Sequence, residues 1–211
     1  MTGHRAMVFI DGNNFYHRLR EHGVDPWLDY AKVSKKVIGA RPWVASRYYV
    51  GQMPNTANYA RSYAAQRKFI AYLRSRDARI TCHFGRMEFR YPKNLAATEL
   101  MAFLDDAASP AISPEARRRL LDIAQRHASV ETLAEKAVDV MLSVDLVEMA
   151  AKDAFDDAYI LSADGDYTPA VAAVRAMGKQ VLAASLPPSA QLAAAVNTFI
   201  PLKPSWFSDC R

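Results

Sequence analysis

Short apolar runs rich in β-branched and aromatic residues alternate along this chain with stretches of helical periodicity. That alternation constrains the fold more than any other feature. MVFID (7–11), WVASRYYVGQ (43–52), AYILSA (158–163) and KQVLAAS (179–185) have strand character, and ARITCHFGRMEFR (78–90) is a further candidate. Strands separated by helices long enough to cross a sheet face predict a mostly parallel sheet with helices on both faces.

Punctuation supports the same layout. Asn14 can cap the helix FYHRLREHG, which Gly23 closes, and Gly39 ends a second helical stretch, WLDYAKVSKKVIG. Residues 57–76 form the clearest helix, with Tyr59, Tyr63, Phe69, Ile70 and Leu73 at three- and four-residue spacing. Residues 94–135 are helical in composition, broken by SPAISP, and 136–155 read as another helix. At 211 residues the chain is expected to be a single domain, 1–211, with a helical insertion at 94–135.

A 51% apolar content with mixed charges excludes a disordered chain. No run of 18 apolar residues occurs, and the opening apolar stretch is too short for a signal peptide, so a cytoplasmic protein with no membrane partner is expected. Cys82 and Cys210 stand far apart, outside any zinc-ligand spacing, and should be free thiols. The net charge of +5 is unevenly spread. Residues 41–93 hold eleven Lys and Arg against Asp77 and Glu88, whereas residues 94–160 hold thirteen acids against six bases. Such asymmetry fits a polyanion binder with a cation-dependent centre, and it also fits two solvated surfaces that differ by chance.

The acids weigh toward the first of those readings, although each alone also reads as a turn residue, an N-cap or a charge opposing a helix dipole. ILSADGDYTP places Asp164 and Asp166 in one turn after a strand, where a single cap residue would have sufficed. Asp11 ends the first strand. Ligands in an open parallel sheet sit beyond the carboxyl ends of the strands, so if these two strands are neighbours three carboxylates converge there. Hard oxygen donors of this kind suit Mg²⁺ or Mn²⁺. Asp139, in the first turn of the helix beginning at Lys136, is the preferred fourth acid. Asp145 lies about 120° further round the helix and is held in reserve or as a structural hydrogen-bonding residue.

FIDGNNFYHRL, KAVDVMLSVDLVEMA and ILSADGDYTPAVAAVRAMGKQV resemble, in order and spacing, the three motif blocks of NYN domains, LabA-like members of the PIN-like nuclease superfamily. The resemblance runs from about Met7 to Leu202. It implies a PIN-like three-layer α/β fold and a metal-dependent ribonuclease. By matching position, Asp11, Asp139, Asp164 and Asp166 would be the metal-binding, catalytic acids. Asn14 would be the polar partner beside the first acid, and Ser162 the small hydroxyl on the fourth strand. Ala137 and Ala163 stand where the family commonly has glycine, and neither change removes a ligand. The segment 94–135 is longer than the family leads one to expect: a lid, a homodimer element or a partner surface.

Lys136 could touch a substrate phosphate, and Arg67, Lys68 and Arg74 on the 57–76 helix, beside Arg61 and Arg76, could track single-stranded or structured RNA. The rival on the same fold is a catalytically inactive RNA-binding or scaffold module. A haloacid dehalogenase-type phosphatase would need an acid where Asn13 stands.

Overall fold

The computed structural model describes residues 3–105, 112–129, 131–187 and 190–211. Among them, strands β1 (Ala6–Asp11), β2 (Trp43–Gln52), β3 (Ile80–Arg90), β4 (Thr132–Lys136), β5 (Asp157–Leu161), β6 (Gln180–Ser185) and β7 (Thr198–Pro201) form one sheet. Its order is β4-β3-β2-β1-β5-β6-β7. β1 pairs in parallel with both β2 and β5, and the pairs β2–β3, β5–β6 and β6–β7 are parallel as well. The helices are α1 (Gly12–Glu21), α2 (Tyr30–Ile38), α3 (Ala60–Arg76), α4 (Leu95–Asp105), α5 (Pro114–Arg126), α6 (Val138–Ala151), α7 (Thr168–Ala176) and α8 (Ala190–Ala195). This is the expected mixed α/β architecture.

Two-residue periodicity sorts β1 between two cores. Ala6, Val8 and Ile10 face a cluster built with Phe15 and Leu19 of α1, Tyr30 and Val33 of α2, and Ile70 and Leu73 of α3. Met7 and Phe9 face the opposite cluster, with Leu142 and Leu146 of α6 and Val171 and Val174 of α7. Every β1 residue is buried, which explains a nearly continuous apolar run rather than an amphipathic one. A side chain such as Phe9, with no exposed surface, gains about 1.5–3 kcal/mol from burial. The same parity puts Asp11 on the α6 and α7 side of the sheet, the side that carries Asp139.

From β1 the chain moves outward through β2 and β3, then returns to place β5 on the other flank of β1. The sheet therefore reverses its winding between β1 and β5. The crevice beyond their carboxyl ends is the usual ligand position in such sheets.

Two compact units divide the chain, residues 1–86 with 135–211, and residues 87–134. In the smaller, α4 packs on α5, with Leu104 and Ala124 buried, Ser113 capping α5, and Arg117 donating to the carbonyl of Leu104. The first half of the break expected at SPAISP falls outside the described residues. The helical reading of 94–135 needs one correction, because Thr132–Lys136 is strand β4. TLAEK is composed mostly of good helix formers and is only half-buried, so it carries neither β-branched enrichment nor clean alternation. The next helix consequently begins at Val138 rather than Lys136, after Ala137 in a left-handed conformation (φ 71°). No helix among the described residues is long and apolar enough to cross a membrane.

Candidate metal centre

Asp11 ends β1 and caps α1, its Oδ1 accepting the backbone N–H of Asn14 at 3.0 Å. Gly12 follows because nothing larger fits there. A Cβ would come within 2.6 Å of the Tyr48 ring and the Tyr49 carbonyl. Only 2% of Asp11 is exposed, and its Oδ2 accepts from the hydroxyls of Ser162 (3.1 Å) and Tyr167 (2.9 Å). Burial raises the Asp11 pKa, an effect its three donors oppose and the Asp139 charge adds to.

The turn after β5 is wired to the same carboxylate. Ser162 donates to Asp11 and accepts the backbone N–H of Asp164 at 3.1 Å. Asn14 Oδ1 accepts the Ala163 N–H at 3.0 Å, tying α1 to this turn. Asp164 caps a short 3-10 turn (Gly165–Tyr167) by accepting the Asp166 N–H, which leaves its other oxygen open. Tyr167, fully buried, lies 3.1 Å from Asp139 Oδ1 as well as 2.9 Å from Asp11. Its phenol is pushed far above the usual range, by burial first and by the two carboxylates next.

Carboxylate oxygens of Asp11, Asp139 and Asp164 lie within 4.8 Å of one another. None of the three forms an ion pair with Lys or Arg among the described residues. They line an open cleft of about 400 Å³ together with Asn14, Arg18 and Glu135. Glu135, at the end of β4, accepts the Gly51 N–H, and burial and the nearby Asp11 and Asp139 charges push its pKa up to about 7. A Cβ at Gly85 would sit 2.6 Å from the Lys136 carbonyl, so the close approach of β3 to the β4–α6 junction depends on that glycine.

Of the four aspartates expected to converge, the structure brings together three. Asp166 is exposed and stands outside the group, its backbone rather than its carboxylate turned to the site's architecture. Asp166 is the second residue after the cap Asp164, and its side chain is exposed. Ser162 is fully buried and already both donates and accepts, so it positions Asp11 and Asp164 and does not reach a substrate. Asn14 has its carbonyl committed to Ala163 and serves chiefly as a clasp. Asp145 pairs elsewhere, accepting from Tyr49 Oη at 2.7 Å with Arg47 at 3.2 Å.

Lys136 precedes the helix as the last residue of β4. Arg67 and Arg74 lie over the rings of Tyr63 and Phe84, Lys68 is exposed, and none of these three lines the acidic cleft. Much of the basic excess of 41–93 is structural, since Arg41, Arg47, Arg76 and Arg79 pair with Asp157, Asp145, Asp29 and Asp77. Tyr167, Glu135 and Arg18 were not singled out in the sequence. Tyr167 reads there as an ordinary core aromatic, and Glu135 and Arg18 read as solvated charges.

Helices on both faces of the sheet and an acid cluster at the switch point are those of a mixed α/β protein, consistent with a PIN-like three-layer fold. Within it, residues 111–203 match the family model of the NYN domain, part of the PIN-like nuclease superfamily. The match takes in Asp139 and Asp164, whereas the block around Asp11 lies before it. No curated protein matches the chain by sequence. Among solved structures, a protein of unknown function from Vibrio parahaemolyticus shares the fold, with a TM-score of 0.55 at 16% identity over 96% of this chain and 94% of that one.

Proposed function

We propose that this protein is a ribonuclease that hydrolyses RNA phosphodiester bonds with a divalent cation, Mg²⁺ or Mn²⁺, held by Asp11, Asp139 and Asp164. The observation that carries the reading is the convergence of three carboxylates, within 4.8 Å, with no basic side chain paired to any of them among the described residues. Like charges that close raise one another's cost of ionising, and a hard cation removes that cost. The donor set fits: all ligands are oxygen, Asp11 keeps about one lone pair after its three donors, and Asp164 keeps one oxygen open. The NYN match supports nuclease chemistry, and RNA as the substrate follows from the same family.

A bound divalent ion lowers the pKa of water and offsets phosphate and leaving-group charge. The protein's own part is orientation. Ser162 and Tyr167 fix the Asp11 carboxylate, the Asn14 clasp fixes the Asp164 turn, and buried Val138 anchors the start of α6 below Asp139. Glu135, titrating near neutrality on the edge of the cleft, is placed to hold or release a proton at its carboxylate. Asp166 belongs to the turn rather than to the ligand set in this reading. Lys68 and the Arg67 and Arg74 guanidiniums remain candidates for distal contacts with the RNA backbone.

The test is incubation of purified protein with labelled single-stranded RNA, hairpin RNA and DNA, in Mn²⁺, Mg²⁺ or EDTA, beside Asp164→Asn. Metal-dependent cleavage of RNA that the variant loses is the expected result. Cleavage that survives EDTA, or that is equal in the variant, would overturn the reading.

A further inference from the structure

The cleft carries five carboxylates, Asp11, Glu21, Glu135, Asp139 and Asp164, against a single guanidinium, that of Arg18. Asn14, Arg18 and Glu21 stand at helical positions i, i+4 and i+7 of α1, so one face of that helix forms a wall of the cleft. Arg18 is only 26% exposed, and its one side-chain bond among the described residues runs from Nη1 to Glu21 Oε2 at 3.1 Å. Its Nε and Nη2 hydrogens are left without an acceptor among the described residues. Helical side chains tilt toward the N-terminus of their helix, which at α1 is the end capped by Asp11.

We infer, resting on the nuclease reading above, that Arg18 is a substrate-binding residue that holds a phosphate of the RNA strand. The phosphate is one adjoining the scissile group rather than the scissile group itself. Seven residues of helix separate Arg18 from Asp11, roughly 10 Å along the axis. A guanidinium side chain leaning back over part of that span reaches the neighbouring phosphate while leaving the carboxylates to the cation. An Arg is suited to this because its planar fork offers two parallel N–H groups to phosphate oxygens and keeps its charge at any working pH. Glu21 then acts as a gate on that capacity: it occupies one edge of the fork, and an incoming phosphate takes the other or displaces it. In a cleft so rich in carboxylates, Arg18 is the one fixed cation offered to a polyanion.

The experiment uses the full chain and compares wild type with Arg18→Ala, Arg18→Lys and Glu21→Gln. Affinity for a ten-nucleotide single-stranded RNA is read by fluorescence anisotropy across a salt series with Ca²⁺ in place of the active metal, and Mn²⁺ binding is read by calorimetry without RNA. Arg18→Ala is expected to weaken RNA binding about tenfold. It should also flatten the dependence of log affinity on log salt by about 0.7, the value of one phosphate contact on a single strand. Its Mn²⁺ affinity should be equal to wild type or tighter, because the only change near the acids is loss of a positive charge. Arg18→Lys should recover part of the affinity and the full slope, since a point charge replaces a fork, and Glu21→Gln should tighten RNA binding by releasing the guanidinium. Rising KM with kcat nearly unchanged would accompany Arg18→Ala in cleavage assays. If wild type cleaves RNA and Arg18→Ala binds it with the same affinity and slope, the Arg18 assignment fails while the nuclease reading stands. If wild type neither binds nor cleaves RNA, both fall. Lost Mn²⁺ binding in Arg18→Ala would mean that the residue acts on the fold of the cleft, and would equally overturn the assignment.

Discussion

The hydroxyl of Tyr167 lies 2.9 Å from Asp11 Oδ2 and 3.1 Å from Asp139 Oδ1. One hydrogen can serve only one of those oxygens at a time, so without a cation the other oxygen faces a hydroxyl lone pair. Tyr167→Phe should leave the fold intact and lower stability by about 1–2 kcal/mol in EDTA, because a buried carboxylate loses a donor. Manganese affinity should fall about tenfold, as for other partners that orient a ligand. Urea unfolding and manganese calorimetry check both numbers, and a variant equal to wild type in each would remove Tyr167 from the site.

Ala137 adopts φ 71° at the start of α6, where a residue with a Cβ is strained. Ala137→Gly should therefore raise stability by about 1 kcal/mol, despite the greater freedom glycine has in the unfolded chain. The expected sign is opposite to that of an ordinary Ala→Gly change in a helix, and chemical denaturation decides between them. A drop in stability would show that the left-handed turn is not paid for at this position.

Glu135 gives the apo protein a specific pH dependence. Its pKa is raised from 4.5 to about 7, so the folded state binds the extra proton between those values. Its stabilising contribution is full below pH 4.5 and is lost as pH rises through about 7. Melting in EDTA should show the difference between Glu135→Gln and wild type growing from pH 5 to pH 8, with the variant falling less. Added Mn²⁺ should reverse the trend in wild type, raising the melting temperature more at pH 8 than at pH 5, because ligands must be deprotonated to bind. Equal pH profiles for variant and wild type would refute this assignment.

Asp139 and Asp145 sit on the same helix and should behave differently. Asp139→Asn should abolish manganese binding and leave the melting point near wild type or higher, since a crowded charge is gone. Asp145→Asn weakens the bonds to Tyr49 and Arg47 and should cost about 1–2 kcal/mol with metal affinity intact. Loss of manganese binding in the Asp145 variant alone would move the third ligand two turns along α6.

What the sequence made legible follows from how local each signal is. β1, β5 and most of β6 are strong because their residues are buried on both faces, and Asp11 and Asp164 because an acid at a strand end followed by a turn is a short-range pattern. β4 escaped because TLAEK is half-buried and made of helix formers, and its strand state is imposed by its neighbour β3. Asp166 is expected among the ligands because spacing alone cannot tell a cap that faces inward from a residue two positions on that faces out. Tyr167, Glu135 and Arg18 depend on which elements meet in space, and no window of sequence contains that. Arg76 looks like part of a basic track for the same reason, since its partner Asp29 is brought to it by the fold.

The place of β1 between β2 and β5 also sets a timetable. Asp11 is made about 150 residues before the strand beside it, with Ser162, Asp164 and Tyr167. At ordinary rates of synthesis that interval is roughly 8–30 seconds. Throughout it the emerging chain has an acid, a cap and a helix but no neighbouring strand to fix them. A nascent chain therefore cannot assemble the cleft until β5 and the turn after it have left the ribosome.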